Sequence, residues 1–194
     1  MKKPSLHFFT NGINTTTMVA SSSSASNAVM RGLGGIVRTK APVAPFVSDI
    51  IQIGAVDCCL HTWDTDGRPP KALVVFLHGA NTHGSFPTTR LVANFMVASG
   101  YSFMAPDFPG HGRSSGLRGH IESSKNLINF AVGIVEHAYR VYLEKAASKK
   151  ANNHHTTSGM KLFLMGSSMG GNLALQVSLR SNDLVSGAIL LAPM

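Results

Sequence analysis

A chain of 194 residues that is 44% apolar can bury one sizeable core, which excludes a wholly disordered polypeptide. Its apolar runs, such as Leu73 to Leu77, fall far short of the roughly 20 residues that a bilayer-crossing helix needs. The net charge of +8 suggests a nucleic-acid partner only until it is divided along the chain. Residues 1–48 carry five basic side chains and no acid, leaving 12 basic against 9 acidic residues elsewhere, with no Arg/Lys stripe interleaved with aromatics.

Residues 1–48 read as a basic extension rich in Ser and Thr, including Thr15 to Thr17 and Ser21 to Ser24, with no sustained apolar period. Such composition predicts disorder in isolation. Basic, Ser-rich and acid-free is also how an organelle transit peptide is built. By contrast, a secretory signal needs an apolar core of roughly 7 to 15 residues, which is missing after Lys3. The expected location is therefore cytoplasmic or organellar.

Residues 49–194 read as an α/β domain. Ile50 to Val56 and Cys59 to Trp63 have strand character and lead in as a hairpin. The only two cysteines, Cys58 and Cys59, are adjacent and point to opposite faces of an extended segment. They cannot build a disulfide framework or a zinc cluster. After the polar turn Asp64 to Pro70, the aliphatic run Ala72 to Leu77 predicts a strand buried on both faces of a parallel sheet.

Thr88 to Ser99 places Leu91, Val92, Phe95 and Met96 at helical spacing, with Gly100 just past the end. Tyr101 to Ala105 is the next strand and Asp107 to Gly119 a glycine-rich loop. A long helix follows, with Leu127, Ala131, Ile134, Val135, Ala138 and Tyr142 on one face. Glu144 to Gly159 is expected to be a polar connection. Lys161 to Met165 is a strand, Gly170 to Arg180 a helix and Gly187 to Ala192 a strand. The alternation predicts an open, mostly parallel sheet with crossover helices.

The segment Gly166-Ser167-Ser168-Met169-Gly170 falls between a strand and a helix and fits G-x-S-x-G, the nucleophile elbow. As a bare string that pattern is weak; its setting carries the inference. Ser168 must occupy a strained turn with its Oγ above the sheet. Side chains at Gly166 or Gly170 would collide where strand and helix nearly touch. The helix that follows turns unpaired N–H groups and its positive dipole end toward the site, which favours negative charge on a substrate carbonyl oxygen. Met169 would supply one such N–H, and Ala80, in the small-residue loop after the Ala72 to Leu77 strand, a second.

Four blocks in order then resemble the serine α/β-hydrolases, in their monoacylglycerol lipase and lysophospholipase-like branch, also called serine aminopeptidase S33-type. They are Val75 to Ala80, Asp107 to Gly116, Gly166 to Gly170 and Gly187 to Pro193, and the likeness spans about Ile50 to Met194. The resemblance implies an α/β-hydrolase fold with Ser168 as acyl-accepting nucleophile and Ala80 and Met169 as oxyanion hole. It also implies a small, lipid-like acyl ester as substrate and no cofactor. His78, Asp107, His111 and Arg113 are read as scaffolding.

Such enzymes place the triad acid and histidine after the serine. Here the only acid after Ser168 is Asp183, read as a solvated turn, and no histidine follows. A family member needs roughly 250 or more residues. The chain is thus expected to be an inactive N-terminal part, its sheet truncated after about the sixth strand, with Ala188 to Leu191 an unpaired edge. A non-catalytic α/β-hydrolase-like binding protein is the alternative.

Other chemistries fit less well. Epoxide hydrolases and dehalogenases of this fold would carry Asp at position 168, and Gly110 and Gly112 match only the beginning of a dinucleotide-binding loop. No metal site is expected, since His154-His155 is an isolated pair. No nucleic-acid partner or transmembrane segment is predicted, and peripheral membrane contact is left open.

Overall fold

The computed structural model describes residues 8–11, 15–20, 44–150 and 161–194, with backbone alone at 8–11, 15–20 and 143–150. The reading of His154-His155 as a solvated pair lies outside the described residues. Among the described residues eight strands and three helices follow in chain order: β1 (Phe8–Asn11), β2 (Thr15–Ala20), β3 (Val47–Ile53), β4 (Val56–Trp63), β5 (Leu73–Leu77), α1 (Pro87–Ala98), β6 (Ser102–Pro106), α2 (Ser124–Lys150), β7 (Leu162–Ser167), α3 (Met169–Arg180) and β8 (Gly187–Leu191). Among the described residues no helix is long and apolar enough to cross a membrane.

The strands form one sheet in the order β1-β2-β8-β7-β5-β6-β4-β3. Its centre, β8-β7-β5-β6, is parallel, and α1, α2 and α3 make the three crossovers that parallel neighbours require. The β3–β4 hairpin adds two antiparallel strands at the β6 edge. This is the mostly parallel α/β architecture expected from the alternation of elements.

Because side chains alternate across a strand, each central strand feeds two cores. Leu73, Val75 and Leu77 of β5 join Leu162 and Leu164 of β7 and Ala188 and Leu190 of β8 beneath α2 and α3. Val74 and Phe76 join Met165 and Phe103 on the opposite face, beneath Ala93 and Val97 of α1. All five residues of β5 are buried, the property its unbroken aliphatic run predicts.

Three local expectations are corrected. The hairpin turns at Gly54-Ala55, so Val56 opens β4 instead of closing β3. Gly54 has φ +59°, which suits the first position of a two-residue hairpin loop. The segment Glu144 to Lys150, expected to be a connection, continues α2. Glu, Ala and Lys are strong helix formers, and no breaker interrupts them.

The third correction concerns the free edge expected at Ala188 to Leu191. Two segments of the extension form strands, and β2 runs parallel to β8 with Thr16 opposite Gly187 and Ala20 opposite Leu191. Ala188 to Leu191 is therefore paired. A strand edge presents free N–H and C=O groups, and a β-branched run such as Thr15 to Thr17 can satisfy them.

Candidate active site

The elbow begins where β7 ends. Ser168 has φ +54° and ψ −121°, a strained conformation for a residue that carries a side chain. The strain persists because the surroundings fix the backbone. Ser168 N–H donates to Leu191 O at 2.9 Å, while Ser168 O accepts from the N–H of Gly171 at 2.9 Å and of Asn172 at 3.2 Å.

The two glycines of the motif lie at close crossings. A Cβ on Gly166 would fall 2.0 Å from Gly170 O, and one on Gly170 would fall 2.0 Å from Leu77 O and 2.5 Å from His78 O. Strand β7, helix α3 and the end of β5 thus meet at contacts that leave no room for a methyl group. Ser168 is half-buried above this crossing. Met169, next in the chain, is the first residue of α3, and its N–H has no intrahelical acceptor.

The loop after β5 borders the serine. A Cβ on Gly79 would lie 3.3 Å from Ser167 O, 3.4 Å from Ser168 Cβ and 4.0 Å from Ser168 Oγ. The Gly79-Ala80 peptide is therefore adjacent to the elbow, and Ala80 itself is exposed. The structure brings together Gly166, Ser168, Met169, Gly170 and the Ala80 loop. Asp183, in contrast, is exposed beyond α3, in the turn before β8.

Residues read as scaffolding form a network beneath the loop. Asp107, only 1% exposed, accepts at Oδ1 from the Gly84 N–H at 2.7 Å and from His61 Nε2 at 3.1 Å. At Oδ2 it accepts from the Arg113 N–H at 2.8 Å. Ser48 Oγ–H in turn donates to His61 Nδ1 at 2.7 Å, holding the ring. Gly84 is required here, since a Cβ would lie 2.5 Å from Ala105 O. Gly112 is required as well, with φ +52° and a virtual Cβ 2.1 Å from Asp107 Oδ2.

Burial alone would raise the Asp107 pKa, but the hydrogen bonds from His61, Arg113 and Gly84 outweigh it and hold the carboxyl below its ordinary value. A group with a depressed folded pKa adds stability above its unfolded value near 3.8, and that stability is lost as pH falls through the folded value. Replacing Asp107 by Asn is expected to cost about 3 kcal/mol near neutral pH, the scale of hydrogen bonds lost to a buried charged group. Urea melts of both proteins between pH 7 and pH 2.5 check this. The difference should shrink in acid; a constant difference would show that the carboxylate charge is not what matters.

Sequence reading missed the part played by His61 and Gly84, because both reach Asp107 from distant segments. It also missed that Cys59, His61 and Asp107 bring donor atoms within 4.8 Å of one another, the kind of set that can hold a metal ion. Those atoms already have partners. The Arg113 guanidinium donates to Cys59 Sγ at 3.1 and 3.2 Å, and burial pushes the Cys59 thiol pKa up despite that cation. A positive group thus stands beside the sulfur already, and the cluster is a hydrogen-bonded hub. A separate open groove of about 740 Å³, lined by Val56, Pro109, Leu117, Ile121 and Phe130, includes none of the predicted site residues.

His78 is buried at the start of the loop. Burial lowers its pKa to about 4, against a smaller raising effect from the Gly79 carbonyl, so the ring is neutral near pH 7. Its Nε2 accepts from the Phe108 N–H at 3.0 Å. The two rings pack with centroids 4.1 Å apart.

A family model described as serine aminopeptidase, S33, matches residues 68–194. Phospholipase YtpA of Bacillus subtilis (strain 168) is 31% identical over 134 residues, covering 68% of this chain and 43% of the relative. Human monoglyceride lipase is 25% identical over 132 residues, covering 68% and 38%. The chain thus spans less than half the length of these curated relatives.

Among solved structures, the Pyrococcus furiosus esterase Pf2001 superposes with a TM-score of 0.61 at 20% identity, covering 83% of this chain and 53% of the esterase. Est1E of Butyrivibrio proteoclasticus, solved with ferulic acid bound, superposes with a TM-score of 0.59 at 16% identity, covering 77% and 53%. At these identities the two superpositions establish the fold, an α/β-hydrolase sheet.

Proposed function

Since the chain belongs to the serine aminopeptidase, S33, family, we propose that it carries the nucleophile and oxyanion hole of a serine hydrolase acting on lipid-like acyl esters. The observation that supports this reading most is the Ser168 backbone, held at φ +54° beside Gly79 at the N-terminus of α3. A strained serine persists at such a crossing only when its surroundings over-determine it, and strain of this kind concentrates at reactive sites.

In the proposed reaction Ser168 Oγ attacks the ester carbonyl carbon and its proton passes to a general base. The carbonyl oxygen becomes an alkoxide that accepts from the N–H groups of Ala80 and Met169, aided by the positive end of α3. Collapse of the tetrahedral intermediate expels the alcohol, which takes up the proton. Water then attacks the acyl-enzyme, releasing the fatty acid and restoring Ser168.

The base is the missing part, since no histidine follows Ser168. Loss of a triad member removes most of the rate and leaves only what the oxyanion hole and binding supply. The chain spans less than half the length of its curated relatives, and we assign the base to none of its 194 residues. The relatives' names, phospholipase and monoglyceride lipase, favour glycerol esters of fatty acids as the substrate class.

The test is substrate choice by the protein expressed from the reading frame extended past Met194. Fatty acid release from a monoacylglycerol or a lysophospholipid, well above release from an aminoacyl amide, is the expected result. Cleavage of the amide alone would overturn the substrate class. Turnover of none of the three would overturn the assignment as a hydrolase.

A further inference from the structure

The Gly79-Ala80 peptide has one feature that neither the motif nor the proposed reaction explains. Its carbonyl oxygen is held by two donors. His78 Nδ1–H donates to Gly79 O at 2.7 Å, and Thr82 Oγ1–H donates to the same oxygen at 2.9 Å. Thr82 Oγ1 also lies 3.3 Å from His78 Nδ1, so the three groups form a compact cluster.

In a trans peptide the C=O and N–H bonds are coplanar and point in opposite directions. Fixing the direction of Gly79 O therefore fixes the direction of the Ala80 N–H. That N–H is the one the proposed reaction aims at the developing alkoxide.

We propose that Thr82 and His78 are positioning residues that lock the oxyanion peptide, and that Thr82 is the adjustable part of the lock. Its catalytic consequence rests on the reading of Ser168 as nucleophile; the lock itself does not. His78 is held in the required form by the Phe108 N–H at its Nε2, which leaves the proton on Nδ1 to face Gly79 O. Burial keeps the ring neutral near pH 7, so that Nε2 stays an acceptor.

The need for a lock follows from the loop itself. Asn81 has φ +58° and Ala80 and Asn81 are both exposed, so no packed core holds this turn. At its far end the loop is anchored through Gly84 to Asp107. Between Gly79 and Gly84, the Thr82 hydroxyl ties the chain back onto its own peptide. An unlocked Gly79-Ala80 peptide is free to rotate, and an oxyanion donor contributes to rate only when already oriented.

The test compares the chain as it stands with Thr82→Val, which removes the hydroxyl at nearly constant shape, and Thr82→Ser, which keeps it. Relaxation-dispersion NMR of the Ala80 amide reads microsecond-to-millisecond motion directly and needs no activity. A quiet amide is expected in the native chain and in Thr82→Ser, and exchange broadening in Thr82→Val. Identical dispersion in all three would overturn the lock.

A second arm uses the protein extended past Met194. There Thr82→Val should lower kcat by roughly 10-fold or more, short of the roughly 10² to 10³ that loss of a whole oxyanion donor costs, with KM unchanged and Thr82→Ser restored. Wild-type kcat in Thr82→Val would contradict the catalytic consequence. If the native protein turns over no ester, the hydrolase reading fails while the NMR result still decides the lock. His78→Asn is a harsher variant that risks misfolding, so neither arm depends on it.

Discussion

Gly170→Ala is expected to remove a large part of the stability of the fold. The added methyl would sit 2.0 Å from Leu77 O and 2.5 Å from His78 O, both backbone atoms of β5 and its loop. No side-chain rotation relieves such a contact. To make room, α3 must back away from the sheet, breaking its packing through Leu173, Ala174 and Val177. Overpacking a core typically costs about 1–3 kcal/mol, and a collision with backbone should exceed that, reaching about 4 kcal/mol or more.

Domains of this size are stable by about 5–15 kcal/mol in all, so the variant should melt at least several degrees lower or fail to accumulate. Gly119→Ala is the contrasting substitution. It has φ +69° but nothing within 4 Å of its virtual Cβ, and should cost only about 1 kcal/mol, from backbone conformation. Thermal melts of both variants separate space from conformation. A Gly170→Ala protein as stable as Gly119→Ala would mean that the strand–helix crossing is not tight.

The second large effect is on rate. Ser168→Ala leaves the elbow backbone in place and removes only the oxygen proposed to attack. In the protein extended past Met194, ester hydrolysis should fall on the order of 10⁶-fold, the scale seen when a serine nucleophile is deleted, with little change in melting temperature. Ser167→Ala, one residue earlier and at the end of β7, should keep most of the activity. Initial rates on a monoacylglycerol, beside melts of the same samples, check this. Equal losses in the two variants would shift the explanation from chemistry to local structure.

The central sheet was legible because its signals are local. Leu73 to Leu77 announces a doubly buried strand by composition alone, and Gly166 to Gly170 announces a tight crossing by spacing. The extra turns of α2 over Glu144 to Lys150 were missed because that stretch has no large apolar residue, and apolar periodicity cannot detect a helix without an apolar face. Intrinsic propensity, strong there, was the better guide.

The strands in the extension escaped for a different reason. A strand added at an edge is selected by the edge it meets, and β8 lies about 170 residues downstream of β2. The Asp107 hub was hidden in the same way. Gly84 is 23 residues away and His61 is 46 residues away, and neither contact leaves a periodic trace. The lock on Gly79 O is local in sequence, but it depends on which nitrogen of His78 carries the proton. Phe108, 30 residues on, decides that.

Whether Ser168 is the acyl-accepting group is tested most directly by a fluorophosphonate probe, which bonds covalently to an activated serine oxygen. Intact-mass and peptide analysis of the protein extended past Met194 should find one adduct, on Ser168, and none in Ser168→Ala. An unmodified native protein, or an adduct that survives the substitution, would contradict the account.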